Sequence, residues 1–175
     1  RRAVTMRTTI ACLSLGLAAA ALAAQEPART FIPVSVSFLQ FQEEMIPRID
    51  DLSLKACIES YQQAASEALA GADIGDARGL LVAVGVKPGR RHFVWCEAVE
   101  GKLPRATLDK LDAAFAGVPR VEVKVGPIAF IIRGTLKNRS VKAFPQFPAV
   151  WDRAMQRSDK PFLTVEELFR IVWPG

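Results

Sequence analysis

Histidine is almost missing from this chain, which has one, His92, in 175 residues. A single histidine excludes zinc sites that are built on pairs of histidines. One Cys–His nucleophile pair is conceivable, Cys96 with His92, but four residues along a strand separate them by about 13 Å, beyond hydrogen-bond reach. The sequence therefore predicts His92 to be a surface or packed residue at a strand end.

Catalytic and phosphate-binding motifs are also missing. The patterns G-x-S-x-G and S-x-x-K and a phosphate loop do not occur. Internal repeats and low-complexity tracts are absent after residue 24. These absences predict a protein that is not an enzyme and that holds no cofactor.

Charged residues are absent from residues 10–24, a run rich in leucine and alanine that follows three arginines. Residues 21–23 read Ala-Leu-Ala, the small-x-small pattern of a cleavage site. The run is shorter than the about 20 residues that a membrane-spanning helix needs. The sequence predicts a signal peptide over residues 1–23 and a periplasmic or secreted mature protein with no transmembrane span. An uncleaved membrane anchor is the alternative.

The charge of the chain is divided unevenly. Without residues 1–23, which hold three of the 23 basic residues, 20 basic and 18 acidic residues remain, a net charge of +2. The high isoelectric point therefore comes largely from the leader, and we expect no nucleic-acid partner. Residues 24–77 carry nine acids and three bases, whereas residues 78–175 carry nine acids and 17 bases. The mature protein thus has an acidic first third and a basic remainder.

Two cysteines follow the leader, Cys57 and Cys96. Export places them in an oxidising compartment, where a pair usually forms a disulfide. Such a bond would stabilise the fold by about 4 kcal/mol on the chain-entropy model. The alternative is two separate buried thiols.

The first part of the mature chain predicts one strand and two helices. Ile and Val alternate with Ser in residues 31–37, which predicts a half-buried strand, and Pro33 marks it as an edge or a start. A short helix is expected over residues 38–46. Apolar residues at helical spacing predict a long helix over residues 53–70.

A β-hairpin is predicted over residues 80–99. The apolar run 80–86 leads to a turn that contains Pro88 and Gly89, and the chain returns through residues 91–99. Alternation places the return strand's side chains on two faces. One face is His92, Val94, Cys96 and Ala98, and the other is Phe93, Trp95 and Val99.

The second half predicts a helix over 104–116 and a long strand over 121–133, interrupted at Gly126. A short helix around Trp151 and a capped final helix that starts after Thr164 follow. The predicted fold class is α+β. The hairpin 80–99 and the strand 121–133 form a small antiparallel sheet, packed against helices 53–70 and 104–116. Residues 24–143 form this domain, and residues 144–175 form a C-terminal helical extension.

The order helix, strand, Pro-Gly turn, strand, helix, long strand runs over residues 53–136. It is carried by the hairpin residues 81–90, the helix residues 108–115 and the strand residues 121–132. This order resembles the C-terminal domain of TonB-type energy transducers and related periplasmic modules. The Tyr-Pro motif that usually precedes the family's hairpin is absent here. The resemblance implies a domain that binds partner peptides by strand addition and catalyses nothing.

A basic segment followed by aromatic residues is the candidate binding site. It comprises Arg133, Lys137, Arg139 and Lys142, then Phe144, Phe147 and Trp151. Bases beside aromatics suit lipid headgroups, lipopolysaccharide or acidic proteins. The alternative is a solvated loop over a small satellite core.

Paired acids are the last candidate for chemistry. They are Glu43/Glu44, Asp50/Asp51, Glu166/Glu167 and Asp109/Asp112. Adjacent residues on a helix point apart, so we interpret the first three pairs as caps and solvated faces. Asp109 and Asp112 share a helix face with room for a cation, and the alternative that we favour is a solvated surface pair. The acids Asp73 and Asp76 lack the spacing of a calcium loop, and no metal site is predicted.

Three functions are therefore ranked. The first is an exported, non-enzymatic envelope or periplasmic module that binds a protein partner. The second is an anion-binding surface for lipid headgroups or polyanions. The third is a carboxylate-dependent hydrolase.

Overall fold

The computed structural model describes residues 30–160 and 162–174. The predicted signal peptide, residues 1–23, lies outside these described residues. Within them, no helix combines the length and the apolar character needed to cross a membrane.

The described chain contains four strands and five helices, which are interspersed along the sequence. In order they are β1 (Phe31–Phe38), α1 (Gln42–Met45), α2 (Asp51–Leu69), β2 (Gly79–Lys87), β3 (Arg91–Val99), α3 (Arg105–Ala116), β4 (Ile128–Leu136), α4 (Ala149–Gln156) and α5 (Val165–Val172).

The four strands form one antiparallel sheet in the order β1-β4-β2-β3. This confirms the α+β class. The predicted hairpin is confirmed as β2 and β3, joined by a turn in which Gly89 has φ +80°. β1 lies at one edge of the sheet, as Pro33 predicts, and its pairing with β4 shifts by one residue between Pro33 and Ser35.

Helices cover both faces of the sheet. The first core lies between the sheet and helices α2 and α3, and its β2 residues include Val82 and Val84. The second core lies between the other face and helices α4 and α5, and its β2 residues are Leu81 and Ala83. Alternate residues of a strand point to opposite faces. Because both faces of β2 are covered by a core, the strand is apolar at nearly every position.

The C-terminal segment 144–175, predicted as an extension, supplies the second helical layer. Trp151, Leu168 and Phe169 are buried in the second core. The capping box of the last helix is confirmed. The Thr164 hydroxyl accepts a hydrogen bond from the Glu167 N–H, and the Glu167 carboxylate accepts one from the Thr164 N–H.

Two predicted elements are partly wrong. The strand expected over 121–133 begins only at residue 128, and the helix expected over 38–46 is reduced to α1 because β1 extends to Phe38. β2 pairs with β4 only as far as Ile128 and β1 only as far as Phe130, so residues 121–127 extend past the ends of both neighbouring strands. Individual hydrogen bonds hold this segment instead. For example, the Lys124 N–H donates to the Arg48 carbonyl at 2.7 Å.

The predicted disulfide is wrong, because Cys57 and Cys96 are both free thiols. Cys57 lies on α2, which packs against β1 and α3, whereas α3 covers β3 and its Cys96. Both side chains contribute to the first core, but Cys57 enters it from a helix and Cys96 from the edge strand of the sheet. Burial raises the pKa of each thiol to about 12. The alternative of two separate buried thiols therefore describes this pair.

Reduction is expected to leave the thermal midpoint of unfolding unchanged, because no disulfide constrains the unfolded chain. Maleimide should label Cys57 and Cys96 only slowly in the folded protein, since thiolate is scarce at neutral pH. Both should label fully in denaturant without reductant, as measured by mass spectrometry of the digested protein. A reductant-sensitive midpoint would contradict the assignment.

Candidate functional site

The two arginines of the basic segment 133–142 donate hydrogen bonds mainly to backbone carbonyl groups. Arg133 donates to the carbonyls of Pro145 and Gln146 and to the Ser37 hydroxyl. Arg139 donates to the carbonyls of Gly75, at 3.0 Å, and Ala77, at 2.8 Å. Both guanidinium groups therefore hold neighbouring chain segments in place.

The remaining members of the predicted site are divided between surface and core. Lys137 and Lys142 are exposed. Trp151 is fully buried in the second core, and Phe144 and Phe147 pack against it. The structure thus does not gather the seven predicted residues on one open surface.

A different surface stands out at the free edge of β1. Within the described residues, β1 pairs on one side only, with β4. The N–H of Leu39 donates to the Ala129 carbonyl at 3.2 Å, so Leu39 points its backbone groups toward β4. Because these directions alternate along a strand, Val36 and Phe38 direct their N–H and C=O groups toward the open edge.

The other end of β1 is less suited to pairing. The Thr30 carbonyl accepts from the N–H of Lys137 at 2.7 Å, so by alternation Pro33 also faces the open edge. Proline has no N–H to donate, and the register shift follows it. Pro33 and the register shift both discourage pairing with another strand at the first half of β1, which leaves the second half available for such pairing.

An apolar groove lies beside this second half, between β1, α1 and the start of α2. We call it the edge groove and define it by Phe38, Met45, Ile46, Ile49 and Leu54, with a volume of about 250 Å³. Phe38 stacks on the buried Phe130, with ring centroids 6.3 Å apart, yet remains 42% exposed.

Further apolar side chains extend this surface into solvent. Ile46 is 62% exposed. Phe41 and Leu52, which are 78% and 81% exposed, are next in sequence to Gln42 and Asp51, two polar residues that also line the groove. Scattered single hydrophobic residues are normal on a protein surface, whereas several beside one groove mark an interaction site.

Acidic residues lie at or beside the edge groove, and we call them its rim. Asp51, which opens α2, lines the groove. Glu43 and Glu44 lie in the first turn of α1, within two residues of the lining residue Met45 in sequence. All three acids have exposed side chains. The Glu44 carboxylate also accepts from the N–H of Phe41. This rim belongs to the acidic first third that the charge distribution predicts.

The single histidine and the single tyrosine of the chain meet in a second, smaller cleft. The Tyr61 hydroxyl lies 2.9 Å from His92 Nδ1, and Nε2 of the same ring lies 3.1 Å from the Val121 backbone nitrogen. Asp112 and Arg120 complete the polar lining. His92 is therefore a packed residue that ties residues 118–127 to the sheet, and Cys96 takes no part in this cleft.

Burial lowers the pKa of His92, and the Arg120 charge acts in the same direction, whereas the bond to Val121 opposes it. The unfolded chain therefore takes up a proton near pH 6.5, before the folded protein does. We expect the free energy of unfolding to fall as the pH drops from 7 to 5, measured by guanidinium chloride titration. The variant His92→Gln should remove this dependence; an equal slope in the variant would assign it to other groups.

The paired acids act as caps and ion-pair partners. Asp50 accepts from the N–H of Ser53 at 2.9 Å, Glu166 pairs with Arg48 at 2.6 Å, Glu167 pairs with Lys160, and Asp109 pairs with Arg105 at 2.9 Å. None of the four pairs contributes two members to the His92 cleft. Across the residues that the structure describes, no cluster of three or more His, Cys, Asp or Glu side chains could hold a metal ion.

Sequence reasoning missed the edge groove, although it identified β1 as an edge. The available signal was the run Phe38, Phe41 and Ile46, apolar residues in a stretch too short to bury them all. Comparison with protein-family models, with curated proteins and with solved structures finds no match for this chain.

Proposed function

We propose that this protein is an exported, non-enzymatic module of the periplasm or cell envelope that binds an extended segment of a protein partner. The observation that carries the proposal is the open second half of β1 with the edge groove directly beside it. The predicted signal peptide supports the location.

Strand addition supplies the binding geometry. A partner segment that pairs with the open edge would exchange backbone hydrogen bonds with Val36 and Phe38. Alternate side chains of an added strand point to opposite faces of the sheet. One set would therefore enter the edge groove and contact Ile46 and Met45. The resemblance to TonB C-terminal domains implies the same mode of binding.

Charge complementarity indicates the partner's composition. The exposed acid Asp51 lines the apolar groove. The exposed acids Glu43 and Glu44 lie on α1, the helix that supplies the groove's lining residue Met45. Apolar residues interspersed with lysine or arginine would satisfy both features, and the acidic rim would accelerate association. The partner segment is thus expected to be extended, apolar and basic.

Panning random 12-residue peptides displayed on phage tests the proposal. We expect enrichment of peptides in which apolar residues alternate and basic residues outnumber acidic ones. Ile46→Asp should weaken their binding at least ten-fold, because it places a charge in the apolar groove. The matched control Ile171→Asp changes an isoleucine that is 52% exposed on α5 and should bind as the wild type does.

Two results would count against the proposal. One is equal binding by the Ile46→Asp and Ile171→Asp variants. The other is enrichment of peptides with no alternation and no excess of basic residues. The anion-binding alternative retains support at one position, Arg133, which lies on the opposite face of the sheet from the edge groove. For the hydrolase alternative, one member or more of each acid pair is engaged in a cap, an ion pair or a backbone hydrogen bond.

A further inference from the structure

A larger cavity lies on the face of the sheet that α4 and α5 cover. We call it the rear cavity; its volume is about 730 Å³. This value falls in the range of about 300–1,000 Å³ that is typical of small-molecule sites. It is also well above the 250 Å³ of the edge groove.

The walls of the rear cavity are mainly apolar. They are formed by Phe38, Leu39, Phe147, Met155, Leu163 and Leu168. Methionine is flexible and fits irregular apolar ligands. A hydrocarbon chain would find matching surface along most of the cavity.

One charged group in these walls lacks an opposite charge. Arg133 lines the cavity, and none of the ion pairs formed by the described residues includes it. Burial lowers the pKa of Arg133, so its positive charge is held at a cost in solvation. Lys160, the other base in the lining, is neutralised by Glu167, and no acid lines the cavity itself.

The guanidinium of Arg133 is already fixed in position. Its Nε donates to the Pro145 carbonyl at 3.0 Å, while Nη1 and Nη2 donate to Ser37 and Gln146. Arginine has five N–H groups, so two remain, one on each terminal nitrogen. A carboxylate can accept such a pair in bidentate fashion, and a preorganised donor loses little freedom on binding.

We propose that the rear cavity binds an aliphatic carboxylate, with the hydrocarbon chain against the apolar walls and the carboxylate on Arg133. A single negative charge matches the single uncompensated guanidinium. Phe38 lines both the rear cavity and the edge groove. Arg133 and Met155 line only the cavity and Ile46 lines only the groove, so variants at these positions test the two sites separately.

Calorimetric titration of the purified full chain with three twelve-carbon probes tests the proposal. Dodecanoate, dodecanol and dodecyltrimethylammonium share a chain and differ in head-group charge, and each is used below its micelle concentration. We expect dodecanoate to bind one to one. Dodecanol should bind about ten-fold more weakly or worse, since it lacks the charge-assisted hydrogen bonds, and the cation should bind more weakly still.

Three variants locate the binding. Arg133→Gln should lower dodecanoate affinity about ten-fold or more and leave dodecanol affinity unchanged. The matched control Arg153→Gln alters an exposed arginine outside the cavity and should change neither. Met155→Trp keeps Arg133 and fills the cavity, so it should weaken both probes. If Arg133→Gln does not fold, Met155→Trp alone tests whether the probes bind in the rear cavity.

Specific results would overturn the proposal. Equal affinities for dodecanoate and dodecanol, or no saturable binding of dodecanoate, would show that Arg133 selects no anionic head group. Unchanged binding in Met155→Trp would place the probe elsewhere. If an apolar pentapeptide with a free carboxyl terminus binds, loses its binding in Met155→Trp and is not displaced by dodecanoate, the cavity is a peptide site instead. A failure to bind dodecanoate would not change the peptide-binding difference expected between the wild type and Ile46→Asp, so the two proposals can be rejected independently.

Discussion

Replacing Trp151 with alanine is expected to lower the free energy of unfolding by about 3–5 kcal/mol. The indole is fully buried and packs edge-on against Trp95, with ring centroids 5.0 Å apart, and against Phe169 at 6.1 Å. Truncation would leave a cavity where α4 and α5 meet the sheet. Guanidinium chloride unfolding, followed by tryptophan fluorescence and far-ultraviolet circular dichroism, measures the change.

A surface aromatic residue provides the control. Phe162 is 87% exposed, so Phe162→Ala should change the free energy of unfolding by less than about 0.5 kcal/mol. If Trp151→Ala cost no more than this control, the second core would contribute nothing to global stability. Residues 144–175 would then be an extension that adds little to the stability of the domain, and the rear cavity would lose its fixed wall.

Replacing Gly134 with alanine is expected to destabilise the protein by about 1–3 kcal/mol. A Cβ atom at this position of β4 would lie 2.2 Å from the Phe31 ring and 2.8 Å from the Ile32 carbonyl oxygen. Phe31 is fully buried in the first core, so the ring cannot move without loss of packing. β1 would have to shift away from β4.

The same variant should also impair peptide binding, because β1 supplies the open edge. Phage-selected peptides should bind Gly134→Ala more weakly even at temperatures where circular dichroism shows it folded. Gly117 gives a control at the end of α3, where φ is −81° and an added Cβ meets its nearest atom at 3.4 Å. Gly117→Ala should be nearly neutral. A Gly134→Ala protein of wild-type stability would contradict the tight contact between β1 and β4.

Local patterns predicted the hairpin and the long helices because neighbouring residues determine them. Pro88 and Gly89 fix the turn, and alternation along residues 91–99 assigns Trp95 and Cys96 correctly to opposite faces of the sheet. The same alternation failed at residues 121–127. An extended segment becomes a strand only where a partner strand is free, and the pairing of β4 decides that.

Spacing along the chain could not decide the state of the cysteines or the use of the arginines. Whether Cys57 meets Cys96 depends on which strand α3 covers. Whether Arg139 faces an anion depends on the carbonyls of residues 75–77, which lie over 60 residues earlier in sequence. The edge groove likewise needs β1, α1 and α2 together, so Pro33 could predict the edge but not the groove.

Photocrosslinking in intact cells is the direct test of whether a partner segment docks on the open second half of β1. A photoreactive amino acid is placed at Phe41, which is 78% exposed between β1 and α1, and separately at Ala113, an exposed residue of α3. We expect one dominant protein adduct from position 41, lost in the Ile46→Asp background, and none from position 113. The same adducts from both positions, or none from position 41, would contradict docking at this edge.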